Sequence, residues 1–119
     1  MATIIVQESD EAIIDVITLA LEEEGHHTIG LLDQCPFALS QKLRLYIPDI
    51  VFLDYRAAYE TGIALFRAVK EFSPRLPVIA LSCDINISQT AQTVGFSSYI
   101  QKPFDLEDLF NKVKLFVNR

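Results

Sequence analysis

The chain has 119 residues, the length of one domain of about 100–150 residues, and half of them are apolar, which excludes a disordered polypeptide. Uninterrupted apolar runs such as 50–53 and 78–81 fall far short of the roughly 20 residues of a membrane span. A net charge of −6 argues against direct nucleic-acid binding, because neutralising phosphates dominates that affinity.

The N-terminal segment has no basic stretch and turns acidic at Glu8, so no signal peptide is expected. Cys35 and Cys83 lack the spacing of a disulfide framework or a metal motif. They are expected to be reduced thiols of a cytoplasmic protein, with Cys83 a small packing residue.

Residues 3–6 are mostly β-branched and predict a first strand, followed by Gln7, Glu8, Ser9 and Asp10. A helix is expected over 11–24, with Ile13, Ile17, Ala20 and Leu21 on one face, Ser9 or Asp10 as its cap and Gly25 at its end. Residues 28–32 predict a second strand, placed near an edge by Gly30. Pro36 can open a helix with Leu39, Leu43 and Tyr46 on one face, and Pro48 ends it.

The run 50–53 has no alternation, as in a strand covered on both faces, and Asp54 follows it. A helix over 62–72 stacks Leu65, Val69 and Phe72. Pro74 and Pro77 then lead to a second doubly covered strand, 78–81, ending at Ser82. A weaker helix is expected over 86–94, with Asn86 and Gln89 spaced as a capping box and Gly95 closing it. Residues 98–100 form a short strand before Lys102 and Pro103. Asp105 then caps an amphipathic helix carrying Leu106, Leu109, Phe110, Val113, Phe116 and Val117 on one stripe.

Five repeats of strand then helix predict an α/β fold with a parallel sheet, right-handed crossovers and helices on both faces. For one domain over 1–119 the expectation is the flavodoxin-like doubly wound (βα)5 arrangement, strand order 2-1-3-4-5. Ligands of such sheets bind beyond the carboxyl ends of the strands. Those ends deliver Glu8, Ser9 and Asp10 from strand 1, Asp54 from strand 3, Ser82 from strand 4 and Lys102 from strand 5. Carboxylate oxygens suit Mg²⁺, and a lysine with a hydroxyl suits an anion. The set fits a metal-bridged phosphoryl group with Asp54 as a nucleophile.

In these residues the chain resembles the receiver domains of two-component response regulators, over nearly its whole length. The features that carry the resemblance are the acidic cluster at 8–10, Asp54 after Ile-Val-Phe-Leu, Gly62 eight residues later, Ser82, and Tyr99 three residues before Lys102-Pro103-Phe104. The resemblance implies that Asp54 accepts a phosphoryl group from a histidine kinase or phosphotransfer protein. It implies that Ser82 and Lys102 bind that group, and that Tyr99 moves inward as the Ser82 loop closes. It places Mg²⁺ among Glu8, Asp54 and the backbone carbonyl of Arg56, with Ser9 or Asp10 as further ligand candidates. The face of helix 4, strand 5 and helix 5 would then signal to a downstream protein or output domain, and could support a homodimer. In this family the proline after the lysine often follows a cis peptide bond.

Two departures bear on this. The family usually has two adjacent acids where Glu8 and Ser9 stand, and a hydroxyl is a weaker Mg²⁺ ligand than a carboxylate, so weak metal binding is expected. Family members commonly carry Met-Pro at the position of Ala57-Ala58. A pseudo-receiver, an interaction module independent of phosphorylation, is the competing expectation. A flavin carrier or small enzyme is disfavoured, since the four glycines are isolated and no phosphate loop is formed. No output domain is expected after the last helix, in a single-domain regulator or in a domain of a longer protein.

Overall fold

The computed structural model describes residues 1–56 and 60–117. The elements alternate as expected: β1 (Thr3–Gln7), α1 (Glu11–Glu23), β2 (His27–Leu31), α2 (Pro36–Tyr46), β3 (Ile50–Asp54), α3 (Thr61–Phe72), β4 (Val78–Ser82), α4 (Ile87–Val94), β5 (Ser98–Gln101) and α5 (Leu106–Val117). The strands form one parallel sheet in the order β2-β1-β3-β4-β5. The short parallel strands require crossovers, and the amphipathic helices supply them while covering both faces.

Two apolar layers result. Ile5, Val51, Leu53, Val78 and Ala80 face α2, α3 and α4 residues such as Leu39, Leu65 and Ala91. Ile4, Val6, Phe52, Ile79 and Leu81 face Ile17 and Leu21 of α1 and Leu109 and Val113 of α5. Residues of β3 and β4 are buried throughout, which is why their sequences are apolar without alternation.

Several local details refine the expectations. The first strand runs one residue further, through Gln7, which pairs in register with Leu31 on one side and Leu53 on the other. The cap of α1 is Asp10, whose carboxylate accepts from the Ala12 N–H at 2.9 Å. Ile14 is buried and lies against Gly30, while Ile13 is only partly buried at the margin of the layer. A Cβ at Gly30 would lie 2.5 Å from Ile14 Cγ2, so glycine here permits a close helix–strand approach. Gly25 takes φ +91, and the His26 N–H bonds back to the Leu21 carbonyl, which closes α1.

The capping box at α4 does not form. Asn86 precedes the helix at φ −97, ψ 21, and its side chain makes no cap hydrogen bond. The extended backbone that lets an N-cap side chain reach forward is absent there. At α5 the expectation holds, with Asp105 Oδ1 accepting from the Asp108 N–H at 3.0 Å. Cys83 is exposed, a correction to its expected packing role, because it lies in the loop beyond the end of β4. The Lys102–Pro103 peptide bond is cis. No described helix is long and apolar enough to cross a membrane.

Candidate functional site

The carboxyl ends of β1, β3 and β4, and the residue after β5, converge on Asp54. Asp54 ends β3, the central strand of the sheet, and is largely buried, as is Glu8 just after β1. Two buried carboxylates cannot stay ionised side by side without compensation. Lys102 provides it, donating from Nζ to Glu8 Oε2 at 2.6 Å and to Asp54 Oδ1 at 3.2 Å. Burial works against the lysine's charge. The hydrogen bonds and charges of Glu8 and Asp54 outweigh that effect, so its pKa rises above the usual lysine value. The ammonium is therefore fully charged near neutral pH. Its backbone is also tied in, with the Lys102 N–H donating to the Ser82 carbonyl at 2.7 Å.

The remaining oxygen of Glu8 is committed as well. Oε1 accepts from the Ser9 and Asp10 N–H groups at 3.1 and 3.3 Å. Asp10 turns its own carboxylate to the first turn of α1. The structure thus brings Glu8, Ser9, Asp54 and Lys102 into one network and assigns Asp10 to the helix.

The second oxygen of Asp54 has different neighbours. Ser9 Oγ donates to Oδ2 at 2.9 Å and accepts from Nε2 of Gln34, in the loop after β2. Arg56 Nη2 stands 3.9 Å from the same oxygen, on a side chain that is 58% exposed. Asp54 also lines a cavity of about 150 Å³, together with Gln7, Gln34, Arg56 and Thr61. Gln7 is 1% exposed, and neither its Oε1 nor its Nε2 has a hydrogen-bond partner among the described residues.

Sequence reasoning missed Gln7 and Gln34. The signal for Gln7 was its place beside an apolar strand, which reads equally well as the start of a loop. Gln34 meets Ser9 across 25 residues, and no local pattern marks it.

Ser82 is buried at the end of β4, and its Oγ accepts from the Asp84 N–H at 3.1 Å. Its hydroxyl proton remains available for an anion. Tyr99, in β5, is half-buried against the α4 side of the core. Lys112 Nζ lies 5.4 Å from the centre of its ring and donates to Ser98 Oγ at 2.7 Å. Ala57 and Ala58 lie outside the described residues.

A divalent cation can be tested against this donor set. Mg²⁺ takes oxygen ligands in octahedral geometry, commonly one or two carboxylates with several waters. Asp54 offers one carboxylate, Ser9 Oγ retains a lone pair, and the orphaned amide of Gln7 lines the same cavity. The set fits a hydrated cation, with one directly available carboxylate where two acids are usual.

A family model described as a response regulator receiver domain matches residues 4–114. The chain is 30% identical to the phosphate regulon transcriptional regulatory protein PhoB of Rhizobium meliloti, over 98% of this chain and 52% of that protein. It is 31% identical to the DNA-binding transcriptional regulator NtrC of Azospirillum brasilense, over 98% of this chain and 24% of that protein. It therefore spans about half or less of the length of these relatives. Among solved structures, NtrX from Brucella abortus superposes with a TM-score of 0.85 at 28% identity, covering 98% of this chain and 26% of that one. The receiver domain of the Francisella response regulator 1452 gives 0.84 at 23% identity, covering 100% and 98%.

Proposed function

The chain belongs to the response regulator receiver domain family, and from that premise we propose that it is a signalling domain phosphorylated on Asp54 by a histidine kinase or a phosphotransfer protein. Receiver domains are signalling domains rather than enzymes, and they generally use Mg²⁺ for phosphotransfer. The proposal treats residues 1–119 as one such unit. The observation that carries it is the bridge from Lys102 Nζ to both Glu8 and Asp54, at 2.6 and 3.2 Å.

A carboxylate oxygen of Asp54 attacks phosphorus of a phosphohistidine. The O–P bond forms as the N–P bond breaks, and the electron pair stays on the imidazole nitrogen, which takes a proton from solvent. Lys102 pairs with Asp54 before transfer and follows the phosphoryl oxygens after it. Glu8 keeps Lys102 in place and contributes negative charge to the cation's surroundings. Ser82, whose Oγ accepts from the Asp84 N–H, donates its hydroxyl proton to a phosphoryl oxygen. Asp54, the Arg56 carbonyl and Ser9 would hold Mg²⁺, which would neutralise phosphoryl charge when bound, and the neutral Ser9 would make that binding weak. Asp10, committed to α1, is left out of that set.

The readout is proposed to follow from Ser82 through the β4–α4 loop to Tyr99, whose ring moves inward and changes the face of α4, β5 and α5. A downstream protein, an output domain or a second copy would read that face. With its net charge of −6 the domain itself is not proposed to touch nucleic acid.

The second reading is a pseudo-receiver, favoured by Ser9 at an acidic position. Intact mass after incubation with a small phosphodonor and Mg²⁺ separates the two. One added phosphoryl in the wild type, lost in Asp54→Asn, is the expected result. No gain in the wild type would favour the pseudo-receiver, and continued labelling of the variant would refute Asp54 as acceptor.

A further inference from the structure

Gln7 is the anomaly of the sheet. Strand β1 is otherwise apolar between Ile4 and Val6, and Gln7 sits in register between Leu31 and Leu53. Strand alternation puts it on the side of Ile5, towards α2 and α3, opposite to Val6. There its amide is buried with both polar atoms unpartnered. An unsatisfied buried polar group is destabilising, and an apolar side chain of similar size would avoid that cost. The cavity that Gln7 lines contains Asp54, the proposed phosphoacceptor, and Arg56.

We propose that Gln7 is a ligand of the divalent cation, its side-chain oxygen making up for the carboxylate that Ser9 lacks. The proposal rests on the cation reading above. The charges favour a cation over an anion in this cavity. The charged groups that line it are Asp54 and Arg56, and the buried carboxylate acts at full strength while water screens the 58% exposed guanidinium 3.9 Å away. Amide oxygens are established ligands of hard divalent cations, and a neutral ligand lowers affinity without abolishing the site. Gln34, through its bond to Ser9 Oγ, orients the hydroxyl on the same side.

The test is Mn²⁺ binding, read from loss of the free-ion electron paramagnetic resonance signal, with Mg²⁺ as competitor. Wild type, Gln7→Leu and Gln7→Glu are compared, and thermal unfolding is recorded without metal. Removing Gln7 is expected to weaken both ions about tenfold, and the glutamate to tighten them by a similar factor. Gln7→Leu should be at least as stable as wild type without metal, since it removes an orphaned amide. Leucine binding the ions as tightly as glutamine would overturn the proposal while leaving the cation reading intact. A clear loss of metal-free stability would overturn it too, by showing that Gln7 is structural. A wild type that binds neither ion would overturn both this proposal and the cation reading.

Discussion

The two oxygens of the Asp54 carboxylate face different surroundings. Oδ1 lies in a closed ionic set, with Lys102 bound at 3.2 Å and Glu8 behind it at 2.6 Å. Oδ2 meets a hydroxyl steered by an amide and, at 3.9 Å, the exposed Arg56 guanidinium, and Asp54 shares its cavity with the buried Gln7 amide. The first flank has what is needed to receive an anion. The second keeps the shape of a cation site with less charge. In a buried site a change of one charge can outweigh several neutral contacts. The difference therefore predicts that cation recognition is weak.

Breaking the first flank should have the largest effect. Lys102→Met leaves two buried carboxylates without their shared cation, and is expected to cost about 3 kcal/mol near neutral pH. Chemical denaturation measures that cost, and phosphoryl uptake should fall with it. A variant of unchanged stability would mean that the Glu8–Lys102–Asp54 set is not the rigid half of the site. A smaller effect separates the loop from the site. Asp10→Ala removes the α1 cap and is expected to lose about 1 kcal/mol of stability while leaving Mg²⁺ affinity unchanged. A drop in affinity would return Asp10 to the cation flank.

The first flank was legible in the sequence and much of the second was not. Glu8, Asp54 and Ser82 follow or end strands of strong apolar pattern, and Lys102 follows the short strand before Pro103, so strand order carries them to one edge. The structure places Glu8, Asp54 and Lys102 in contact there. Gln7 depended on where β1 stops. A polar residue after an apolar run has no visible side until the register with Leu31 and Leu53 assigns one. Gln34 depended on a loop folding back over β1, which periodicity does not encode. Asn86 shows the opposite failure. Its spacing from Gln89 satisfied a local motif, yet the backbone entering α4 lacks the extended geometry the motif needs.

The contrast between the flanks is tested most directly by restoring the missing charge. Phosphoryl uptake from a small phosphodonor should be followed against Mg²⁺ concentration for wild type and Ser9→Asp. The account predicts that both accept one phosphoryl group and that the variant needs about tenfold less Mg²⁺ for half-maximal uptake. Identical Mg²⁺ dependence in the two proteins would contradict it, because the position of Ser9 would then not belong to the cation site.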